Sequence, residues 1–170
     1  EQYPEATIVA IEGLPENYEN YLKSLENIIV VNRVINSYNG ESEYHKKKIN
    51  GIHGIYNRGN EYGNEKMFLQ CSRIDSLCDE LGISSIDFVK IDVEGASYDV
   101  LLSFGEILKT VKIMHVETES FPFFENQKLH HEVCELLDKE GFSLIAMSFY
   151  EILKNQYQFD CVFVNRSFYE

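Results

Sequence analysis

Residues 86–96 read IDFVKIDVEGA, a short apolar run that passes through Lys90 into two acidic residues and a glycine. A run of four to eight residues rich in Ile, Val and Phe is typical of a buried strand. The glycine directly after Glu94 allows the chain to turn sharply, and helical spacing of apolar residues follows it. The sequence therefore predicts a strand over 86–93 that leads through a turn into a helix over 94–108.

The same alternation continues on both sides of this strand. Apolar runs that predict further strands lie at 7–11, 28–35, 113–117, 142–147 and 159–164. Helical spacing lies between them at 14–25, 72–81 and 126–140, with Ser72 and Asn126 as predicted N-caps and Gly82 and Gly141 as predicted stops.

This order of elements predicts the fold class. Strands that alternate with helices imply βαβ units and a parallel sheet with helices on both faces. The last two strands have no helix between them, only a connection through 150–153, so they predict an antiparallel pair at one edge. We therefore predict a single α/β, doubly wound domain over 1–170.

Residues 38–66 differ in composition from the rest of the chain. They hold five of the ten glycines, together with the basic run His45, Lys46, Lys47 and Lys48, and few residues that could build a core. We interpret this segment as an inserted loop with one or two short strands. It could serve as a binding lid or as a surface insertion.

Charge and composition exclude several classes of protein. The chain has 28 Asp and Glu against 15 Lys and Arg, a net charge of −13, which argues against nucleic-acid or anionic-membrane binding. No apolar run approaches the roughly 20 residues of a membrane helix. Four cysteines without a CxxC pair indicate neither a zinc site nor a disulfide framework, so we expect a reduced, cytoplasmic protein.

Acidic residues stand at the ends of three predicted strands. They are Glu12, then Asp92 with Glu94, and then Glu117. Because parallel strands end at one edge of a sheet, where ligands of such folds bind, we expect these carboxylates to converge. Glu12 followed by Gly13 has the form of an acid that accepts ribose hydroxyls, although the same dipeptide is common in turns.

The acids allow more than one chemical interpretation. Asp92 and Glu94 could hold a cation or orient a hydroxyl nucleophile, or Glu94 could simply favour a helix N-terminus. Lys90 stands in a run that reads as buried, and Asp92 on the same face is its expected partner. His115 shares a strand face with Glu117, so the two could form a general base, or the histidine could be structural.

The run Lys-Ile-Asp-Val-Glu-Gly at 90–95 resembles the central motif of the FkbM family of S-adenosylmethionine-dependent methyltransferases. The Ile-Asp-Phe before it and the helix with Val-Leu-Leu at 100–102 agree with that resemblance. The segment 72–77 is similar to the part that precedes the motif in the family. Fainter similarity extends over about 7–164.

The resemblance implies the class I methyltransferase fold, a Rossmann-like sheet ordered 3-2-1-4-5-7-6. On that template the predicted strands correspond to strands 2 to 7. Strand 1 and its glycine-rich cofactor loop have no counterpart in 1–170. The chain begins at Glu1 rather than Met, and we expect the missing strand and loop to precede it.

The resemblance also implies roles for individual residues. With S-adenosylmethionine as the cofactor, Glu12 and Gly13 would bind its ribose, Asn36 would border its adenine, and Asp92 would lie beside its methionine part. Glu94, Glu117 and His115 would line the acceptor side. The implied reaction is methyl transfer to a hydroxyl of a sugar, a glycan precursor or another small molecule, and an acidic or phosphorylated acceptor would explain Lys46, Lys47 and Lys48.

Two other functions stay open at this point. The chain could be a non-catalytic Rossmann-like binding or assembly domain that has lost the cofactor loop. It could also be a metal-dependent hydrolase that uses Asp92, Glu94 and Glu117. A divalent cation is compatible with methyl transfer but we predict none, and homo-oligomer formation is left open by the sequence.

Overall fold

The computed structural model describes residues 5–49, 51–60 and 62–169, and these form a mixed α/β structure with three sheets. The mixed α/β class agrees with the prediction, but the described strands form three sheets rather than the single doubly wound sheet that was predicted. Within the described part of the chain, no helix is both long enough and apolar enough to cross a membrane.

The first sheet pairs two strands in parallel. They are β1 (Val9–Glu12) and β2 (Ile29–Asn32). Between them, helix α1 (Pro15–Asn17) continues as a π-helical turn (Tyr18–Leu22). Proline suits the first turn of a helix because its missing N–H would have no partner there.

The second sheet contains β3 (Val34–Ile35), β4 (Gly40–Lys46) and β5 (Glu65–Ser72) in the order β3-β5-β4. Here the prediction needs two corrections. The run 28–35 is not one strand, because β2 and β3 belong to different sheets. The segment predicted as an inserted loop with one or two short strands does contain one, β4, but the following β5, with which β4 forms an antiparallel hairpin, was not predicted.

The third sheet has the order β6-β7-β9-β8. Its strands are β6 (Phe88–Ile91), β7 (Ile113–Glu119), β8 (Phe142–Leu153) and β9 (Gln156–Asn165). Strands β6 and β7 are parallel, and β8 and β9 form the predicted antiparallel edge pair. The connection predicted through 150–153 is wrong, because these residues extend β8 to a tight turn in which Asn155 has φ +61°.

Four helical segments accompany this sheet: α2 (Ile74–Leu81), α3 (Ser97–Leu102), a 3₁₀ helix (Gly105–Thr110) and α4 (His130–Lys139). Gly82 ends α2 in the left-handed conformation, as predicted.

Three predicted helix starts are wrong. Ser72, predicted as the N-cap of α2, is the last residue of β5, and Arg73 is the N-cap instead. The helix after β6 begins at Ser97 because Glu94 and Gly95 both have positive φ. Helix α4 begins at His130, not at Asn126, whose φ of +64° places it in a turn.

The main core lies between one face of the third sheet and the helices. Side chains from β7, α4 and β9 are completely or almost completely buried there, including Met114, Val116, Leu137 and Cys161. A smaller core joins the turn after β1 to β3, β4 and β5 through Leu14, Val34, Tyr44 and Cys71.

On the opposite face of the third sheet, the side chains of β6 are exposed. Phe88 is 57% exposed, and the Lys90 side chain is 49% exposed. The expectation that Lys90 is buried is therefore wrong. The reason is that side chains alternate along β6, so Val89 and Ile91 fill the core while Lys90 points away from it.

Candidate active site

Three of the predicted strand-end acids come together. Asp92 and Glu94 follow β6 and Glu117 lies in β7, and one carboxylate oxygen from each lies within 4.8 Å of the others. Ile91 pairs with Val116 in the parallel ladder, so the two strands end side by side. Here the structure agrees with the convergence expected from the sequence.

The turn that carries Glu94 is fixed by its neighbour. Glu94 has φ +49° and Gly95 has φ +82°. A non-glycine residue in the left-handed region costs about 1–2 kcal/mol. A Cβ atom at Gly95 would lie 2.7 Å from Cδ2 of Phe124, so only glycine fits there. Glu94 therefore lies in a strained turn outside the following helix, which opposes the interpretation that it merely favours a helix N-terminus.

Burial and mutual repulsion raise the pKa values of the carboxyl groups. Burial, with the nearby Asp92 charge, raises the pKa of Glu94 to about 7. Burial raises the pKa of Glu117 to about 8, and Asp92, Glu94 and Glu119 add to the shift. Burial also raises the pKa of Glu119 to about 7. Such a cluster exchanges protons near neutral pH, which suits a general base.

Two glutamines bind acids of this region, one in the three-acid cluster and one at the neighbouring Glu119. Gln158 of β9 donates a hydrogen bond to Oε2 of Glu117, and Gln127 donates to Oε2 of Glu119. The Oε1 atom of Gln127 accepts from the backbone N–H of Phe123 at 2.9 Å. Neither glutamine could be predicted, because no local motif marks them and only the register of β9 and the turn before α4 bring them to the acids.

Lys90 binds the partner that was predicted for it. Its Nζ atom lies 2.5 Å from Oδ2 of Asp92. Both side chains are about half exposed, and a surface ion pair contributes only about 0–1 kcal/mol to stability. The pair therefore orients the Asp92 carboxylate more than it stabilises the fold.

His115 has a different partner from the one that was expected. Its Nε2 atom lies 3.1 Å from Oδ1 of Asp160, whereas Glu117 accepts its recorded hydrogen bond from Gln158. The His115–Glu117 pair, one of the two interpretations of the sequence, is therefore not formed among the described residues. Asp160 lies opposite Glu117 in the antiparallel ladder, so it occupies the same sheet face and reaches the histidine from β9.

Glu12, expected at the ribose, is not among the three clustered acids of the described chain. Oε1 of Glu12 accepts a 2.7 Å hydrogen bond from the backbone N–H of Leu14. Burial raises the pKa of Tyr44, and Glu12 and Glu94 both add to that shift, so this tyrosine lies near both strand ends. A Cβ atom at Gly13 would lie 3.4 Å from the Tyr44 ring and closer still to Val34.

Asn36, expected at the adenine, is buried and engaged within the protein. Its Nδ2 atom donates to Oγ of Ser42 at 3.0 Å, and its Oδ1 atom accepts from the backbone N–H of Ser37 at 2.7 Å. A cleft of about 490 Å³ lies near the ends of β1 and β2, and its lining includes Gly13 and Asn32 but not Asn36.

The segment 47–64, which we call the strap, joins β4 to β5 and is organised around a buried ammonium group. Nζ of Lys47 donates to Oδ1 of Asn57 at 2.6 Å, to the carbonyl of Gly59 at 2.8 Å and to Oδ1 of Asn64 at 3.3 Å. Lys46 is paired with Glu16 at 2.6 Å. Two lysines of the basic run thus serve the fold and leave little support for an acidic acceptor.

The strap also contacts the acid-bearing turn. The Tyr56 hydroxyl donates to Oδ2 of Asp99 at 2.6 Å, and Nδ2 of Asn57 donates to Oε1 of Glu125 at 3.1 Å. Gly54 lies so close that a Cβ atom there would be 3.4 Å from the carbonyl oxygen of Glu94. The strap therefore lies against the candidate site.

Comparison with known proteins points to one reaction class. A family model described as "Methyltransferase FkbM domain" matches residues 2–144, which include the three acids and the strap. The 2-O-methyltransferase NoeI of Sinorhizobium fredii is 31% identical over 78 residues, which are 46% of this chain and 31% of that protein. The match thus spans about a third of the relative's length.

No solved structure matches the chain. Both matches found are to methyltransferases, so the comparisons support methyl transfer as the general reaction.

Proposed function

Because this chain belongs to the FkbM methyltransferase family, we propose that it transfers a methyl group from S-adenosylmethionine to a hydroxyl oxygen of a small molecule such as a sugar or glycan precursor. The observation that carries the proposal is the cluster of Asp92, Glu94 and Glu117 at the ends of two parallel strands. Carboxylates with pKa values near neutrality are suited to accept a hydroxyl proton.

The strand order supports a class I methyltransferase fold. The order β6-β7-β9-β8, with β9 antiparallel to both neighbours, has the pattern of strands 4-5-7-6, and the parallel pair β2-β1 has that of strands 3-2. Among the described residues β1 pairs only with β2, and β6 only with β7. We propose that one further strand, with a glycine-rich turn, lies between β1 and β6 in the whole protein.

The charges near the site fit the cofactor. S-adenosylmethionine, when bound, supplies an electrophilic methyl group on a positively charged sulfur. The carboxylates of Asp92 and Glu94 provide the negative charge that favours such a cation. At the end of β1, Glu12 is in the position that would accept ribose hydroxyls, with Oε2 engaged only by Asn17 at 3.4 Å among its recorded bonds.

The chain's own residues would move one proton during the reaction. Bound S-adenosylmethionine would supply the methyl group, and the acceptor hydroxyl that takes it would have to lose its proton. The hydroxyl proton passes to a carboxylate of the cluster, for which Glu117 is our choice. Gln158 holds Oε2 of Glu117, which leaves Oε1 for the proton. Alignment of donor and acceptor supplies the rest of the catalysis.

The acceptor is proposed as a small molecule, and the location as the cytoplasm. The net charge of −13 disfavours a nucleic-acid acceptor. All four cysteines are free thiols, which is compatible with a reducing compartment. We propose no metal cofactor, because a cation between the three acids would compete with the Lys90 ammonium for Asp92.

Calorimetric titration with S-adenosylmethionine tests the cofactor assignment. We expect the full-length protein to bind the cofactor, and Glu12→Gln to weaken binding by about tenfold through loss of ribose contacts. Glu16→Gln, an exposed acid in the same region, is the matched control. A folded full-length protein that releases no heat with this ligand would contradict the proposal.

A further inference from the structure

Arg58 of the strap is held above the candidate site by aromatic rings. Its guanidinium carbon lies 5.3 Å from the ring centroids of both Phe123 and Phe124, and 5.9 Å from that of Tyr62. A cation in contact with several rings gains about 0.5–2 kcal/mol of stabilisation from each well-placed ring. These contacts fix the position of the guanidinium without using its N–H donors.

The same rings place Arg58 beside the acids. Phe124 contacts Gly95 so closely that no Cβ atom fits between them. Arg58 is therefore separated from the Glu94–Gly95 turn by a single aromatic ring. The charge of Arg58 also opposes the rise in pKa that burial causes at Glu94 and Glu119.

The donors of Arg58 have no acceptor within the described chain. A guanidinium has five N–H groups, yet the recorded contacts of this side chain over 5–49, 51–60 and 62–169 are ring contacts alone. The lysines show the contrast, since Lys46 and Lys47 both donate to protein oxygens. A half-buried arginine that is positioned but not hydrogen-bonded is suited to a ligand with oxygen acceptors.

The surrounding charge decides what kind of oxygen that ligand carries. Asp92, Glu94, Glu117 and Glu119 interact electrostatically with one another, and the nearby cations are Arg58 and the Lys90 that pairs with Asp92. A phosphate or carboxylate on the acceptor would be repelled by several carboxylates at once. Uncharged hydroxyl oxygens accept from a guanidinium and donate to carboxylates, so they satisfy both kinds of group.

We propose that Arg58 is an acceptor-binding residue that donates hydrogen bonds to the oxygen atoms of an uncharged, polyhydroxylated acceptor, while the carboxylates of the cluster accept from its hydroxyl groups. This inference rests on the proposed methyl transfer for the identity of the site. The basic run suggested an acidic acceptor, whereas the proposed acceptor is neutral. The cation that selects it is Arg58 and not a lysine of that run.

The first test needs no methyl transfer. Methyl α-glucopyranoside, a neutral probe with adjacent hydroxyl groups, and inorganic phosphate are titrated separately at millimolar concentrations into the full-length ¹⁵N-labelled protein. The readout is the Arg58 Nε–H resonance, assigned by its loss in Arg58→Lys. We expect the glycoside to shift this resonance saturably and phosphate to bind at least about tenfold more weakly.

Either of two results overturns the proposal. If phosphate saturates the Arg58 resonance at a lower concentration than the glycoside, the acceptor is anionic. If neither probe moves the resonance, Arg58 does not bind acceptors. Because the readout is binding at one side chain, a failure here is distinct from a protein that binds no S-adenosylmethionine.

The second test separates acceptor binding from a structural role. With any acceptor that the protein methylates, Arg58→Met is expected to raise the acceptor KM about tenfold or more and leave the S-adenosylmethionine Kd within about twofold. Arg58→Lys keeps a cation over the rings and should recover part of the loss. Lys48→Met, an exposed cation of the same strap, is the control. An unchanged KM in Arg58→Met contradicts the proposal.

Discussion

The acid cluster and the strap lie against each other but are held in place by different means. The cluster is carried by the ends of β6 and β7, whose parallel pairing sets the carboxylates side by side. The described residues of the strap form no long strand or helix, and individual hydrogen bonds hold them, three of these from one buried lysine. The cluster should therefore persist when the strap is loosened, while damage to the acid-bearing turn should affect both.

The largest loss of stability from a substitution is expected for Gly95→Ala. Gly95 lies in the turn that carries Glu94 and that the strap contacts. The substitution adds the left-handed backbone penalty of about 1–2 kcal/mol to a clash with Phe124 of about 1–3 kcal/mol. We expect the free energy of unfolding, measured with urea, to fall by about 3 kcal/mol.

Gly141→Ala is the matched control for that clash. Gly141 also has positive φ, but no atom lies within 4 Å of where its Cβ would be. It should lose only the backbone penalty of about 1–2 kcal/mol. Equal losses in the two variants would show that the contact between Gly95 and Phe124 is unimportant.

A smaller and more local effect is expected from Lys47→Met. The change leaves the oxygens of Asn57, Gly59 and Asn64 without their ammonium donor, at a cost of about 1–3 kcal/mol. Hydrogen exchange should accelerate in the strap and stay slow in β6 and β7. Lys48→Met, on an exposed neighbour, is the control, and unchanged exchange in the strap of Lys47→Met would mean that the lysine does not organise it.

The last prediction concerns the pH dependence of stability rather than the loss of a contact. The folded pKa of Glu117 is raised to about 8 from an ordinary 4.5, so the folded state binds more protons between these values. Its contribution is complete below pH 4.5 and is lost as the pH rises towards 8. Urea midpoints of the wild type should fall across this range, and Glu117→Gln should flatten the slope. Equal slopes would contradict the raised pKa.

The sequence predicted the cluster because its determinants are local. Alternation along β6 and β7 and the glycine after Glu94 could be read directly, and parallel strands necessarily end at the same edge. The partners of these acids could not be predicted in the same way. Asp160, which binds His115, and Gln158, which binds Glu117, reach the site through the β7–β9 register, which no short motif encodes.

The strap and its hairpin were harder to predict for a different reason. Glycine and asparagine between 38 and 66 indicated turns, but β4 is held by its pairing with β5, a contact that only forms in three dimensions. Lys47 looked like part of a basic surface, whereas it is buried by oxygens from later in the chain. Arg58 belongs to no recognisable motif, and its contacts with the aromatic rings identify it as a candidate binding residue.

Methyl transfer by Asp92→Asn is the most direct test of the claim that the acid cluster is the site of chemistry. The full-length protein is incubated with tritiated S-adenosylmethionine and a panel of neutral sugars, beside Asp79→Asn, an exposed acid on α2. We predict that Asp92→Asn loses about 100-fold or more of the transfer rate with an unchanged melting temperature, and that Asp79→Asn keeps the wild-type rate. Near-normal transfer by a folded Asp92→Asn protein would contradict the assignment of the site.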